Sequence, residues 1–146
     1  MQAHTIDDVV PQLEAIIDWA HATKSRLGYF PALYRKMTLA VQAGINAGVF
    51  DDNARMAHIG VAFANRYLAA FDQYQNGKRP TQAWLFSFAA AQRWWPTVVQ
   101  HLLFGMNAHI NLDLGIAVAR SVPPESLDQV RDDFNRINNI LADLID

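Results

Sequence analysis

Cysteine is absent from the 146 residues. With it go disulfides, thiolate zinc sites and cysteine nucleophiles, and a reducing compartment fits that composition. Charge is sparse as well, at 18% of residues with a net of -2, which leaves no basic footprint for nucleic acid. Met1 to Asp8 hold no basic patch leading into an apolar run, so no secretory signal is read. The apolar stretches are broken by Asn, His, Arg or Gln before the roughly 20 residues a bilayer needs, and no membrane partner is expected. Period-2 alternation of β-branched residues is missing, and any sheet with it. There is no Walker loop, dinucleotide fingerprint or EF-hand loop, Ser87 lacks a G-x-S-x-G context, and no cofactor is indicated. The expectation is a cytoplasmic protein.

What the chain has is apolar mass: 51% hydrophobic and 11% aromatic residues. That is enough for a real core in a single domain spanning 1–146. Helical punctuation divides it. Thr5 and Asp8 make a capping-box start for a first helix running up to Gly28, with Val9, Leu13, Ile16 and Ile17 at helical spacing. A second helix begins near Pro31 and weakens at Gly44 and Gly48. Asp51 and Asp52 start a third, reaching about Gln73, and residues 75–80 form an exposed connection. Trp84, Phe88 and Trp95 mark a fourth, which Pro96 ends. The fifth, about 97–119, is the most apolar. Pro123 and Pro124 precede a last helix carrying Leu127, Val130, Phe134, Ile137, Leu141 and Leu144. The pattern predicts an all-α fold: a compact bundle or orthogonal array of about six helices around the fifth, buried on nearly all sides.

Polar residues interrupt that fifth helix. Asn107, His109, Asn111 and Asp113 alternate through its middle. At 100° per residue, His109 and Asp113 share one face, while Asn107 and Asn111 fall roughly 160–200° away. Burying such groups unpaired costs about 1–3 kcal/mol each, and more for the carboxylate. Candidate partners lie on a stripe of the third helix that includes Asp51, Arg55, His58, Asn65 and Arg66, where an arginine could neutralise Asp113. Several readings follow. His109 acts as a general acid or base with Asp113 orienting it. Alternatively, Asn107, Asn111, Arg55, Asn65 and Arg66 join them in lining a small-molecule site without chemistry. A divalent metal on His109 and Asp113 is a further alternative, although only two ligands are then in view. The rival is a non-catalytic binding or assembly domain in which these residues form an internal hydrogen-bond network that fixes helix packing. His4 and His21 read as surface residues, and His101 as packed at a helix flank. Trp84 and the Trp94-Trp95 pair read as core or interface anchors.

With these residues in view, the sequence resembles an uncharacterised, helical, largely bacterial family marked by a G-M-N-A-H-I-N-x-D-L signature, here Gly105 to Leu114. The resemblance extends to Ser25–Phe30, Phe63–Leu68, Trp84 and Phe134–Asn138, and it brings no reaction with it. It implies an acidic residue just before the Phe-Ala-Asn segment, where this chain has Gly60. Any reading that needs such a partner for His109, the metal above all, is weakened. It also implies a longer chain. This sequence, ending at Asp146, is then a short member or a piece of a longer protein, whose last helix exposes an apolar face for pairing with another copy.

Overall fold

The computed structural model describes residues 1–143. It contains seven α-helices: α1 (Val9–Ala22), α2 (Tyr29–Asn46), α3 (Asn53–Gln75), α4 (Gln82–Ala91), α5 (Val98–Ala108), α6 (Gly115–Ser121) and α7 (Leu127–Ala142). A π-helical segment, His109–Leu114, joins α5 to α6 without a break, so the helices form six rods. No strand occurs among the described residues. The expected all-α bundle is the fold.

Local chemistry sets the boundaries. The Asp8 carboxylate accepts the amides of Thr5 and His4 at 2.8 and 2.9 Å, which ties down the turn leading into α1. α1 stops at Ala22, earlier than Gly28. Lys24 takes a left-handed φ of 54°, and the Ser25 amide reaches back to the Ala20 carbonyl at 2.7 Å. That closure terminates a helix whatever the periodicity beyond it. Asp52 caps α3 by accepting the Arg55 amide at 2.8 Å. Thr97 and Gln100 form a reciprocal cap at the start of α5. Gly77, at φ 67°, supplies the left-handed residue that turns the chain after α3.

Two apolar clusters fill the bundle. The larger gathers Leu13 and Ile16 of α1, Phe30 and Tyr34 of α2, Tyr67 and Leu68 of α3, and Trp84 and Phe88 of α4. The smaller joins Phe50, Met56, Ile59, Val122 and Val130, with Phe134, Ile137 and Ile140 of α7 packed on it. Val130, Phe134 and Ile137 of the α7 apolar stripe are thus turned into the bundle, Val130 buried and the other two partly so, while Leu127 at its start is 47% exposed. Leu144 lies outside the described residues.

Sequence periodicity overstated the burial of the fifth rod. Its inner face holds His101, Gly105, Ala108, His109, Asp113 and Ala117, but Val99 and Leu103 are more than half exposed. Asn107 and Asn111 are exposed too, bonded to one another. They belong to the outer surface, not to the core. The unbroken rod Val98–Ser121 is long and apolar enough, by length and composition, to cross a membrane, contrary to the expectation that polar residues break it too soon.

Asp133 locks α7 to the α2–α3 connection, a role that sequence inspection missed. It is fully buried and accepts the Asp51 amide at 2.7 Å, the Asp52 amide at 3.3 Å and the Arg136 guanidinium at 2.6 Å. Arg55 stands 3.5 Å from it. Burial alone would raise the Asp133 pKa, but these donors outweigh it and hold it below the usual carboxylate value. The stability it gives is present above the unfolded carboxylate range and is lost as pH falls through the lowered native pKa. Asp133→Ala is expected to cost about 2–4 kcal/mol in urea unfolding at neutral pH and to flatten the acid limb of the stability curve.

Candidate functional site

The π-helical segment places the polar residues of the fifth rod. Such segments shift the helical register locally and recur at functional sites. His109 and Asp113 remain on one face and point inward, 2% and 0% exposed. Close approach of the rod depends on Gly105, because a Cβ there would lie 2.4 Å from the Phe30 ring.

Asp113 is well satisfied. Arg66 Nε donates to Oδ1 at 3.1 Å, and Trp84 Nε1 donates to Oδ2 at 2.6 Å. One carboxylate thereby joins α3, α4 and the fifth rod. The sequence had offered the α3 stripe as its source of partners, and Arg66 is the residue that arrives. Arg55 and Asn65 do not. Arg55 serves Asp52, Asp133 and the Gln129 carbonyl. Asn65 exchanges two hydrogen bonds with the Ala3 backbone at 2.7 and 2.8 Å, anchoring the N-terminal segment. His58 is exposed. Of the seven candidate site residues, three come together: His109, Asp113 and Arg66.

His109 is enclosed by rings. Phe63 stacks on it at 3.6 Å and 9°, and Tyr34 meets it edge-on at 4.3 Å. Phe30 and Trp84 stand 5.5 and 6.0 Å away. No sequence motif announced this cage. Its members sit on three helices, and only their aromatic character was visible beforehand. Nδ1 lies 3.6 Å from Asp113 Oδ2, outside hydrogen-bonding distance. Among the described residues neither ring nitrogen has a partner. Burial pushes the imidazole pKa below its ordinary value against the opposing pull of the carboxylate, so the ring is held neutral. The Tyr34 phenol is driven up by burial and by Asp113, and that of Tyr67 by burial and by Tyr34.

One face of His109 borders a cavity of about 140 Å³ between α2, α3, the π-helical segment and α7. Its wall is mostly apolar, including Met37, Met56, Ile59, Phe63, Phe134 and Ile137, with Thr38 and Asn138 as further polar groups. Gly60, where the family resemblance implied an acid, is part of that wall. No carboxylate among the described residues lines the cavity. Among the described residues no group of three or more His, Asp or Glu side chains gathers as metal ligands, and both Asp113 oxygens already accept strong donors. The metal reading finds no third donor here.

Fold and site together define an all-helical domain with a buried imidazole and carboxylate beside a small apolar cavity. Residues 6–146 match a family of unknown function (DUF5995), and the chain belongs to that family. No curated protein and no solved structure matches it.

The carboxylate junction has a measurable weight. Arg66→Met leaves a buried carboxylate without its counter-charge and is expected to cost about 3 kcal/mol. Trp84→Phe removes one donor and should cost less, about 1–3 kcal/mol. A cost for Arg66→Met below about 1 kcal/mol in denaturant unfolding would show that the Arg66 pair carries little of the fold.

Proposed function

We propose that the domain holds a small, largely apolar molecule in the cavity beside His109, and that His109 exchanges a proton or a hydrogen bond with that molecule's one polar group. The carrying observation is the imidazole itself: fully buried, unpaired at both nitrogens and set in a cavity wall. Such a group costs about 1–3 kcal/mol unless something completes it. The cavity is close in size to an engineered apolar one of about 150 Å³ that takes up benzene.

The arrangement suggests a direction for the chemistry. With Asp113 beside Nδ1, the neutral tautomer protonated on Nδ1 is favoured, and Nε2 is left as an acceptor. A ligand hydroxyl would then be a better fit than a plain ring. As an acid–base pair, His109 would act on the ligand and Asp113 would orient it, their 3.6 Å separation shortening when the site fills. The purely structural reading draws support from Asp113, whose partners are all protein groups.

His109→Leu separates the two readings. Removal of an unpaired imidazole for an apolar side chain of similar volume is expected to change stability by less than about 1 kcal/mol at pH 8. A network role requires a loss of several kcal/mol. Binding supplies the second readout: in titrations followed by NMR, the wild type should prefer phenol over toluene by about tenfold, and His109→Leu should lose that preference. Absence of any preference in the wild type would overturn the proposal. The pH dependence has a definite sign. The unfolded chain takes up a proton that native His109 refuses, so its contribution is fully present above about pH 6.5 and declines as pH drops below that value. His101, also lowered by burial and by Arg26, acts in the same window, so the difference between wild type and His109→Leu isolates His109.

A further inference from the structure

The loop between α4 and α5 carries Trp94 and Trp95, 85% and 53% exposed. The apolar surface continues along both helices. Phe86 of α4 and Val99 and Leu103 of α5 are each more than half exposed. Phe86 meets Phe104 edge-on at 5.1 Å, which ties the two helices together at this surface. Val99 and Leu103, four residues apart, lie on one face. Extended apolar patches of this kind mark contact sites.

Charge points to the kind of partner. Between Asp72 and Asp113 the sequence has no Asp or Glu, and Arg93 stands directly before the two tryptophans, in a chain of net charge -2. The Arg26 guanidinium donates to the Arg93 carbonyl, which brings another cation against the tryptophan loop. Lys24 and Arg26 line a groove with Gln92 at the end of α4, and among the described residues no carboxylate stands in its wall. Exposed indoles, exposed aliphatic side chains and a cationic rim thus meet at one end of the α4–α5 hairpin.

We propose that this hairpin seats on an anionic phospholipid bilayer, with Trp94, Trp95 and the Val99–Leu103 face at headgroup depth and Arg93, Arg26 and Lys24 toward the lipid phosphates. Tryptophan favours that depth, and basic residues near an anionic leaflet add attraction. The contact is peripheral. The inner face of the same rod is engaged by Arg66 and Trp84 through Asp113, so the rod lies on the surface within its bundle. A second copy fits less well, because a two-fold contact whose axis passes by the tryptophan loop sets Arg93 and Arg26 of one copy near those of the other. The proposal departs from the sequence-based expectation of no membrane partner and is independent of the cavity.

Vesicle co-sedimentation of the full chain tests it. At low salt the protein is expected to pellet with phosphatidylcholine vesicles containing about one-third phosphatidylserine and to stay in solution with phosphatidylcholine alone. Its tryptophan emission should shift to the blue on binding. The double variant Trp94→Ser/Trp95→Ser should bind the anionic vesicles at least about tenfold less while keeping its circular dichroism spectrum. Failure of the wild type to pellet, or equal binding by the variant, overturns the proposal. So does a concentration-dependent dimer that the variant dissolves, in a wild type that ignores vesicles; the patch then belongs to self-association.

Discussion

A buried carboxylate has to be neutralised, and Asp113 meets that requirement with donors from two other helices. Arg66 of α3 supplies charge and Trp84 of α4 supplies a short hydrogen bond. Neither donor can be met unless the fifth rod approaches closely, and Gly105 permits that approach by leaving room for Phe30. The position of His109 follows from the same constraint. One turn before Asp113, the imidazole is carried into the aromatic cage of Phe63, Tyr34, Phe30 and Trp84. The larger core and the placement of the site therefore share one electrostatic requirement.

The two titratable groups of the pair sit in opposite situations. Asp113 has its demands met by protein, as a packing element does. His109 has none of its demands met, and it faces a cavity. A leucine at position 109 would meet hydrophobic burial alone, so an imidazole there without a partner is the oddity that a bound molecule would resolve. A second division runs across the fifth rod. Its inner face carries the polar junction, while its outer face, beside Trp94 and Trp95, leaves apolar surface in water. The composition of the rod reflects both demands, and neither alone accounts for a helix so apolar with a carboxylate in its middle.

Much of the architecture was legible because local rules decide it. Thr5 with Asp8, and Asp52, are caps with a mechanism, and each marks a real start. The pairing of Asp113 with an arginine of the α3 stripe was legible as well, since a buried carboxylate leaves few alternatives. Three features were not. Lys24 ends α1 through a left-handed conformation that its residue type does not advertise. Asn107 and Asn111 looked like core residues because apolar neighbours surround them in sequence, yet one face of the rod is exposed and they lie on it. Asp133 looked like one acid in a charged last helix; its role depends on backbone amides 81 and 82 residues away, which no periodicity encodes.

The protonation behaviour of His109 tests the central claim most directly. Nitrogen chemical shifts of its ring, followed by NMR from pH 8 down to about pH 6.5, should stay those of a neutral imidazole protonated on Nδ1, with Nε2 shifting when phenol is added. An imidazole that charges at or above about pH 6.5, or one whose Nε2 resonance ignores saturating phenol, would contradict a buried, neutral acceptor waiting on a ligand.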